Sequence, residues 1–135
     1  MIRRILILLM VCMAGVSCKT NQSIQPGELW LDTQGEHINA HGGGVIYHGN
    51  RYWWFGEHKC DSTSNAMVGV MCYSSKDLMN WKNEGVVLPV SEDPDSPITR
   101  GCIIERPKVI YNRKTGKFVM WFHLEHKGHG YKKAH

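Results

Sequence analysis

Cysteine is scarce in this chain of 135 residues, and its spacing suits no framework. Cys12 and Cys18 fall in the N-terminal segment, which leaves Cys60, Cys72 and Cys102 in the body, with no Cys-x-x-Cys pair. An odd number cannot all pair, so a disulfide-stapled scaffold and a structural zinc site are excluded, and at most one disulfide can form. Apolar runs are short, none reaching the roughly 20 residues of a spanning helix. No segment carries a long helical period, which sets aside a coiled coil. Charge of one sign is lacking too: 16 Lys+Arg stand against 12 Asp+Glu, a formal net charge of +4. Without Arg3 and Arg4 the balance is 14 against 12, or +2, too mild to point to nucleic acid. Apolar residues are not lacking: at 42% hydrophobic and 21% charged the composition is that of a folded chain, and the length allows one domain at most.

The first residues are read as an export signal. Met1-Ile2-Arg3-Arg4 is basic, residues 5–13 are apolar, and small residues follow, the order of a Sec signal peptide. Gly15-Val16-Ser17-Cys18 resembles a bacterial lipobox, in which Cys18 becomes the lipidated first residue of the mature protein, although Leu is usual where Gly15 stands. Ordinary cleavage near Ser17, leaving Cys18 a free thiol, is the alternative. Residues 1–17 are thus expected to be a signal peptide of lipoprotein type and the polar stretch 18–27 a tether. The expected location is the periplasm or outer membrane of a bacterium, with a lipid anchor as the only membrane contact.

Residues 28–135 repeat themselves, and the repeat is β. Gly43-Gly44-Val45-Ile46-Tyr47 leads through His48-Gly49-Asn50 to Tyr52-Trp53-Trp54-Phe55; Pro107-Lys108-Val109-Ile110-Tyr111 leads through Asn112 and Gly116 to Phe118-Val119-Met120-Trp121-Phe122. Val45 and Val109 are 64 residues apart and Trp54 and Trp121 are 67 apart. Each unit reads as a hairpin of β-branched and aromatic strands around turn residues. Two more strands are expected between them, at 67–74 and 85–88, joined by a polar stretch with Leu78 and Trp81 as inward candidates. Two hairpins make a four-stranded unit, and a period in the sixties fits one propeller blade with its loops. The chain then supplies about one and a half blades, and a ring needs at least about four. It therefore reads as the N-terminal part of a longer, truncated protein.

Polar residues cluster at two places. Glu36-His37-Ile38-Asn39-Ala40-His41-Gly42-Gly43-Gly44 enters the first hairpin and Gly56-Glu57-His58 leaves it. Three glycines before a strand imply close backbone approach, to a ligand or to crowded strands, while a phosphate cradle lacks its Gly-x-x-x-x-Gly-Lys pattern and its helix. His41 lines a pocket or is a structural histidine. Arg100-Gly101-Cys102-Ile103-Ile104-Glu105-Arg106-Pro107 opens the second hairpin. Glu105 there should face the axis or pocket mouth, the alternative being an ion pair with Arg106 or Arg100. Trp53, Trp54, Trp121, Tyr47 and Tyr111 are expected mainly to pack. His123-x-x-His126-x-x-His129 looks like a metal tract but reads as a solvated loop, and Glu92-Asp93-Pro94-Asp95 lacks the spacing of a calcium loop and reads as an exposed turn.

Four motifs in order resemble glycoside hydrolase family 43, and most of all its branch of exo-β-1,3-galactanases: Trp30-Leu31-Asp32-Thr33-Gln34-Gly35, His41-Gly42-Gly43-Gly44, Tyr52-Trp53-Trp54-Phe55-Gly56-Glu57, and Glu105-Arg106-Pro107-Lys108-Val109-Ile110-Tyr111-Asn112. The resemblance implies a five-bladed β-propeller, a terminal sugar held in its axial pocket, and hydrolysis with inversion. Its partners would be oligo- or polysaccharides: galactan, arabinogalactan or arabinoxylan side chains. No cofactor or catalytic metal is implied, and a structural calcium in the complete propeller is compatible with it. The wider family takes its base from an Asp on the first inner strand, but here that stretch reads Asn39-Ala40-His41-Gly42; the galactanase-like branch is similar in lacking it. By motif match Glu105 is the Glu that handles water, Glu57 a sugar-binding Glu, and Tyr131 a sugar-contacting Tyr. The general acid would come from beyond residue 135, so the chain alone should be inactive. A non-catalytic carbohydrate-binding remnant, or a pseudogene product, is the alternative reading.

Overall fold

The computed structural model describes residue 20 and residues 22–132. The expectations for residues 1–17 and for Cys18 lie outside the described residues. Residues 22–29 are exposed and form no strand.

Six strands follow: β1 (His41–His48), β2 (Arg51–Glu57), β3 (Gly69–Ser75), β4 (Lys82–Pro89), β5 (Ile103–Asn112) and β6 (Lys117–Glu125), then a single 3-10 turn, Gly130–Lys132. Strands β1 to β4 form one antiparallel sheet in chain order and β5 pairs with β6, so the arrangement is all-β, a four-stranded meander and a following hairpin. Gly49 and Asn50 both take positive φ, 58° and 59°, the two-residue turn whose twist matches a hairpin. Strand β3 is buried along its whole length. Met71 and Tyr73 face a cluster with Ile38, Ala40 and Trp81, while Val70 joins Ala66, Val90, Cys102 and Ile104. Phe122 and Leu124 of β6 pack against the second cluster, which ties the hairpin to the sheet.

The two hairpins share a bulge. His41 pairs with Glu57 and Gly44 with Phe55; Glu105 pairs with His123 and Lys108 with Trp121. In both, one extra residue is inserted just after the strand opens, at Gly42 (φ 57°) and at Arg106 (φ 54°). The glycine run answers a neighbouring strand: a Cβ on Gly43 would lie 1.9 Å from the carbonyl oxygen of Phe55. That close approach is strand crowding, not a ligand.

Several expectations are corrected by register. Trp54 pairs with Val45 but Trp121 pairs with Lys108, so Trp121 corresponds to Phe55 and not to Trp54. A one-residue slip turns a side chain to the opposite face. Trp54 packs against the first cluster, whereas Trp121 is 69% exposed; Tyr47 and Tyr111 are exposed as well. Leu78 is exposed at φ 65°, and only Trp81 of the expected inward pair is buried. The middle strands begin at Gly69 and Lys82 instead of 67 and 85.

Asp77 explains that loop. Its Oδ1 accepts the N–H groups of Met79 (2.9 Å) and Asn80 (2.7 Å) and the Ser75 hydroxyl (2.9 Å). The Asn80 bonds above all hold its carboxyl far below the usual carboxylate range. The turn so formed aims Trp81 inward, where its ring meets Trp54 edge-on at 5.3 Å and its Nε1–H bonds Leu78 O at 3.0 Å.

Candidate active site

The shared bulge puts two strand openings side by side, because β1 packs beside β5. Lys108 seals the junction: its Nζ donates to Gly42 O at 2.9 Å and to Gly43 O. Gly42 must lack a side chain here, since a Cβ would meet Glu57 Oε1 at 2.9 Å in addition to needing the left-handed backbone.

Two carboxylates converge at this junction. Glu57, the buried last residue of β2, places Oε2 3.0 Å from Lys59 Nζ, and Glu105 Oε1 lies 3.8 Å from the same nitrogen. Tyr131, in the 3-10 turn, donates its hydroxyl to Glu105 Oε1 at 2.7 Å. Arg106 Nη2 stands 3.5 Å from Glu105 Oε2, whereas Arg100 is turned away onto Glu92. The Tyr131 hydrogen bond holds the Glu105 carboxyl below its ordinary range; the charges of Lys59, Arg106 and His123 act the same way and partial burial opposes them. The same bond pushes the Tyr131 hydroxyl up. Glu105 is thus an anion and Tyr131 a donor near neutrality, a pair suited to orienting water or sugar hydroxyls.

Of the residues singled out from sequence, Glu57, Glu105 and Tyr131 come together. His41 opens β1 opposite Glu57 but is exposed at the rim. Lys59 escaped notice; in the sequence Arg106 reads only as an ion-pair partner of Glu105, and His123 only as part of a solvated histidine tract. Lys59 lies two residues past Glu57, just beyond the end of β2, where no strand pattern fixes the direction of its side chain. His123 is not in a solvated loop: it belongs to β6, stacks on Tyr131 (6.1 Å, 18° between planes) and sets Nε2 3.3 Å from the buried Glu125. His126 and His129 lie beyond the strand with rings 6.3 Å apart. Among the described residues no three His, Cys, Asp or Glu side chains gather as a metal site. Cys60, Cys72 and Cys102 are all free, and burial with the nearby Glu84 raises the Cys72 thiol to about 11.

No protein-family model matches the chain, and no curated protein does. Solved structures do. The GH43 β-1,3-galactosidase BT3683, determined with galactodeoxynojirimycin, is 59% identical over 78% of this chain, with a TM-score of 0.77. The chain belongs to glycoside hydrolase family 43. It is similar also to the exo-β-1,3-galactanase Pc1,3Gal43A of Phanerochaete chrysosporium with galactose (37% identity over 80% of this chain, TM-score 0.71). The exo-β-1,3-galactanase 1,3Gal43A of Clostridium thermocellum is 49% identical over 73% of this chain, with a TM-score of 0.64. The chain spans 31%, 25% and 20% of those three proteins, about a third of their length or less.

Proposed function

We propose that this family 43 chain is the N-terminal part of an exported exo-acting hydrolase that removes terminal galactose from β-1,3-galactan with inversion. In this reading the four-stranded sheet is the first blade of a five-bladed propeller and β5–β6 begin the second. Cys18 carries the lipid anchor, and no cofactor takes part in the chemistry, although a structural calcium fits the complete propeller. Inversion needs one carboxyl to protonate the leaving oxygen and a second group to activate water on the opposite face. Glu105 takes the water side, as an ionised carboxylate with Tyr131 fixing one oxygen. Glu57, Tyr131 and, at the rim, His41 bind sugar hydroxyls. The general acid comes from beyond residue 135, so the chain by itself does not turn substrate over.

The observation that carries this reading is the meeting of Glu57 and Glu105 on one ammonium at the bulged strand openings, with Tyr131 on Glu105. The galactose and the galactodeoxynojirimycin in the similar structures support the sugar assigned. The test is Glu105→Gln in the full-length polypeptide, assayed on β-1,3-galactan. Turnover should fall by about 10²–10⁴-fold with little change in KM, because water activation is exercised in the transition state. Near wild-type turnover would make Glu105 a structural ion-pair member and leave water activation to another group.

A further inference from the structure

Among the described residues, Lys59 is the one cation within ion-pair distance of both candidate carboxylates. Its Nζ is 3.0 Å from Glu57 Oε2 and 3.8 Å from Glu105 Oε1, and it also donates to Ser64 O at 3.2 Å. The side chain is 23% exposed, against 8% and 14% for the two glutamates, so the three charges share a largely enclosed corner. Its backbone is pinned as well. Asn39 Oδ1 accepts the Lys59 N–H and Asn39 Nδ2 donates to the Lys59 carbonyl, both at 2.8 Å, and the Asn39 N–H in turn bonds Tyr73 OH at 3.1 Å. Both ends of the Asn39 side-chain amide thus take part in this clamp.

We propose that Lys59 is a positioning residue, held by the Asn39 clamp, that couples Glu57 to Glu105 and sets the spacing between the sugar-binding and the water-activating carboxylate. This rests on the roles given to those glutamates above. Without the ammonium, two like charges in one corner repel, and Glu105 loses a partner that favours its anion. The other groups that face Glu105 remain: Tyr131 from the 3-10 turn, Arg106 from its own strand, and His123 from β6 with Glu125 behind it. His41 opens β1 opposite Glu57.

The deciding measurement is the pH profile of kcat/KM on a β-1,3-galacto-oligosaccharide, in the full-length polypeptide, for wild type, Lys59→Met and Lys59→Arg. Lys59→Met should move the acidic limb up by at least about one pH unit, the shift expected when an opposite charge within ~4–6 Å is removed. Lys59→Arg should restore most of the wild-type limb. An active Lys59→Met with its acidic limb unmoved overturns the proposal, whereas a wild type inactive on every galactan overturns the functional reading instead. Should Lys59→Met fail to fold or to turn over, Asn39→Ala decides, because it keeps the charge and removes the clamp. Its limb should rise by a smaller amount, with a larger loss in kcat than in KM. An unchanged profile there sinks the positioning role.

Discussion

At the scale of single residues the site divides by when each contact is made. Glu57 is buried, already ion-paired, and set where a Gly42 side chain would collide with it, so in the sugar-binding role proposed for it the group is in place before a sugar arrives. A contact of that kind is made equally in ground and transition states and supports binding more than turnover. Glu57→Gln in the full-length polypeptide should therefore raise KM several-fold with kcat nearly unchanged, the opposite split to Glu105→Gln; steady-state kinetics on the same galactan distinguish them. Tyr131 acts on the charge of Glu105. Tyr131→Phe keeps the ring that stacks on His123 but removes the 2.7 Å hydrogen bond to Glu105. Because that bond is the main cause of the lowered Glu105 carboxyl, its loss should raise the carboxyl toward the ordinary value of about 4.3. The acidic limb of kcat/KM should rise with it.

Acid sensitivity follows from the same sign. Glu105 and Glu84 both have lowered carboxyls, the second through Lys82 and Ser74. A carboxylate whose folded value is depressed adds stability above its unfolded value of about 4.3, and loses it as pH falls through the folded value. The urea midpoint should be lower at pH 3 than at pH 7, and Glu105→Gln and Glu84→Gln should each flatten that dependence.

At the scale of elements, the loop between β3 and β4 and the β1 bulge hold the most consequence. Asp77 organises a loop whose purpose in the fold is to deliver Trp81 to the first cluster, beside Trp30 and Trp54. Trp81→Ala removes a fully buried indole and should cost about 3–5 kcal/mol. Asp77→Ala touches no core atom, yet it removes the Oδ1 that accepts from the N–H groups of Met79 and Asn80 and should cost about 1 kcal/mol. Denaturant melts of the two variants check both size and order. Gly43→Ala differs in kind. A methyl 1.9 Å from Phe55 O cannot be relieved by a rotamer, so the β1–β2 ladder must shift and with it the opening that positions Glu57.

At the scale of the whole molecule, burial is uneven. The faces of β1–β4 and β5–β6 that meet form the second core cluster, yet Ile110 (56%), Phe118 (52%) and Trp121 (69%) lie open on the hairpin. Among the described residues β6 pairs only with β5. An open strand edge beside exposed aromatics favours association. Residues 28–135 expressed alone should therefore aggregate or bind a hydrophobic dye, while the full-length polypeptide should not; a soluble monomer of 28–135 with a sharp, cooperative melt would count against the propeller reading. Export is tested separately: palmitate label should appear on the wild-type protein and vanish in Cys18→Ala.

Strand type, hairpin turns and the four-then-two strand count were legible in the sequence because they depend on local quantities: alternation, β-branched and aromatic content, and glycine with asparagine at turns. Glu57 was legible because it closes a patterned strand, and Glu105 because it follows two apolar residues near the start of one. Register was not. The bulges at Gly42 and Arg106 insert a residue that alternation alone cannot see, and the second turn, four residues at 113–116 against two at 49–50, sets Met120 and not Trp121 in the place of the packed Trp54. Leu78 misled because its direction depends on the loop's hydrogen bonds, its own N–H to Ser75 Oγ and those that Asp77 accepts from Met79 and Asn80, and not on its own apolarity. The union of Glu57, Lys59, Glu105, His123 and Tyr131 was decided only in three dimensions, because it requires β5 to pack beside β1 and Asn39 to clamp the chain after β2. Local chemistry is written along the chain, whereas the distance between two charged groups far apart in sequence is set by packing.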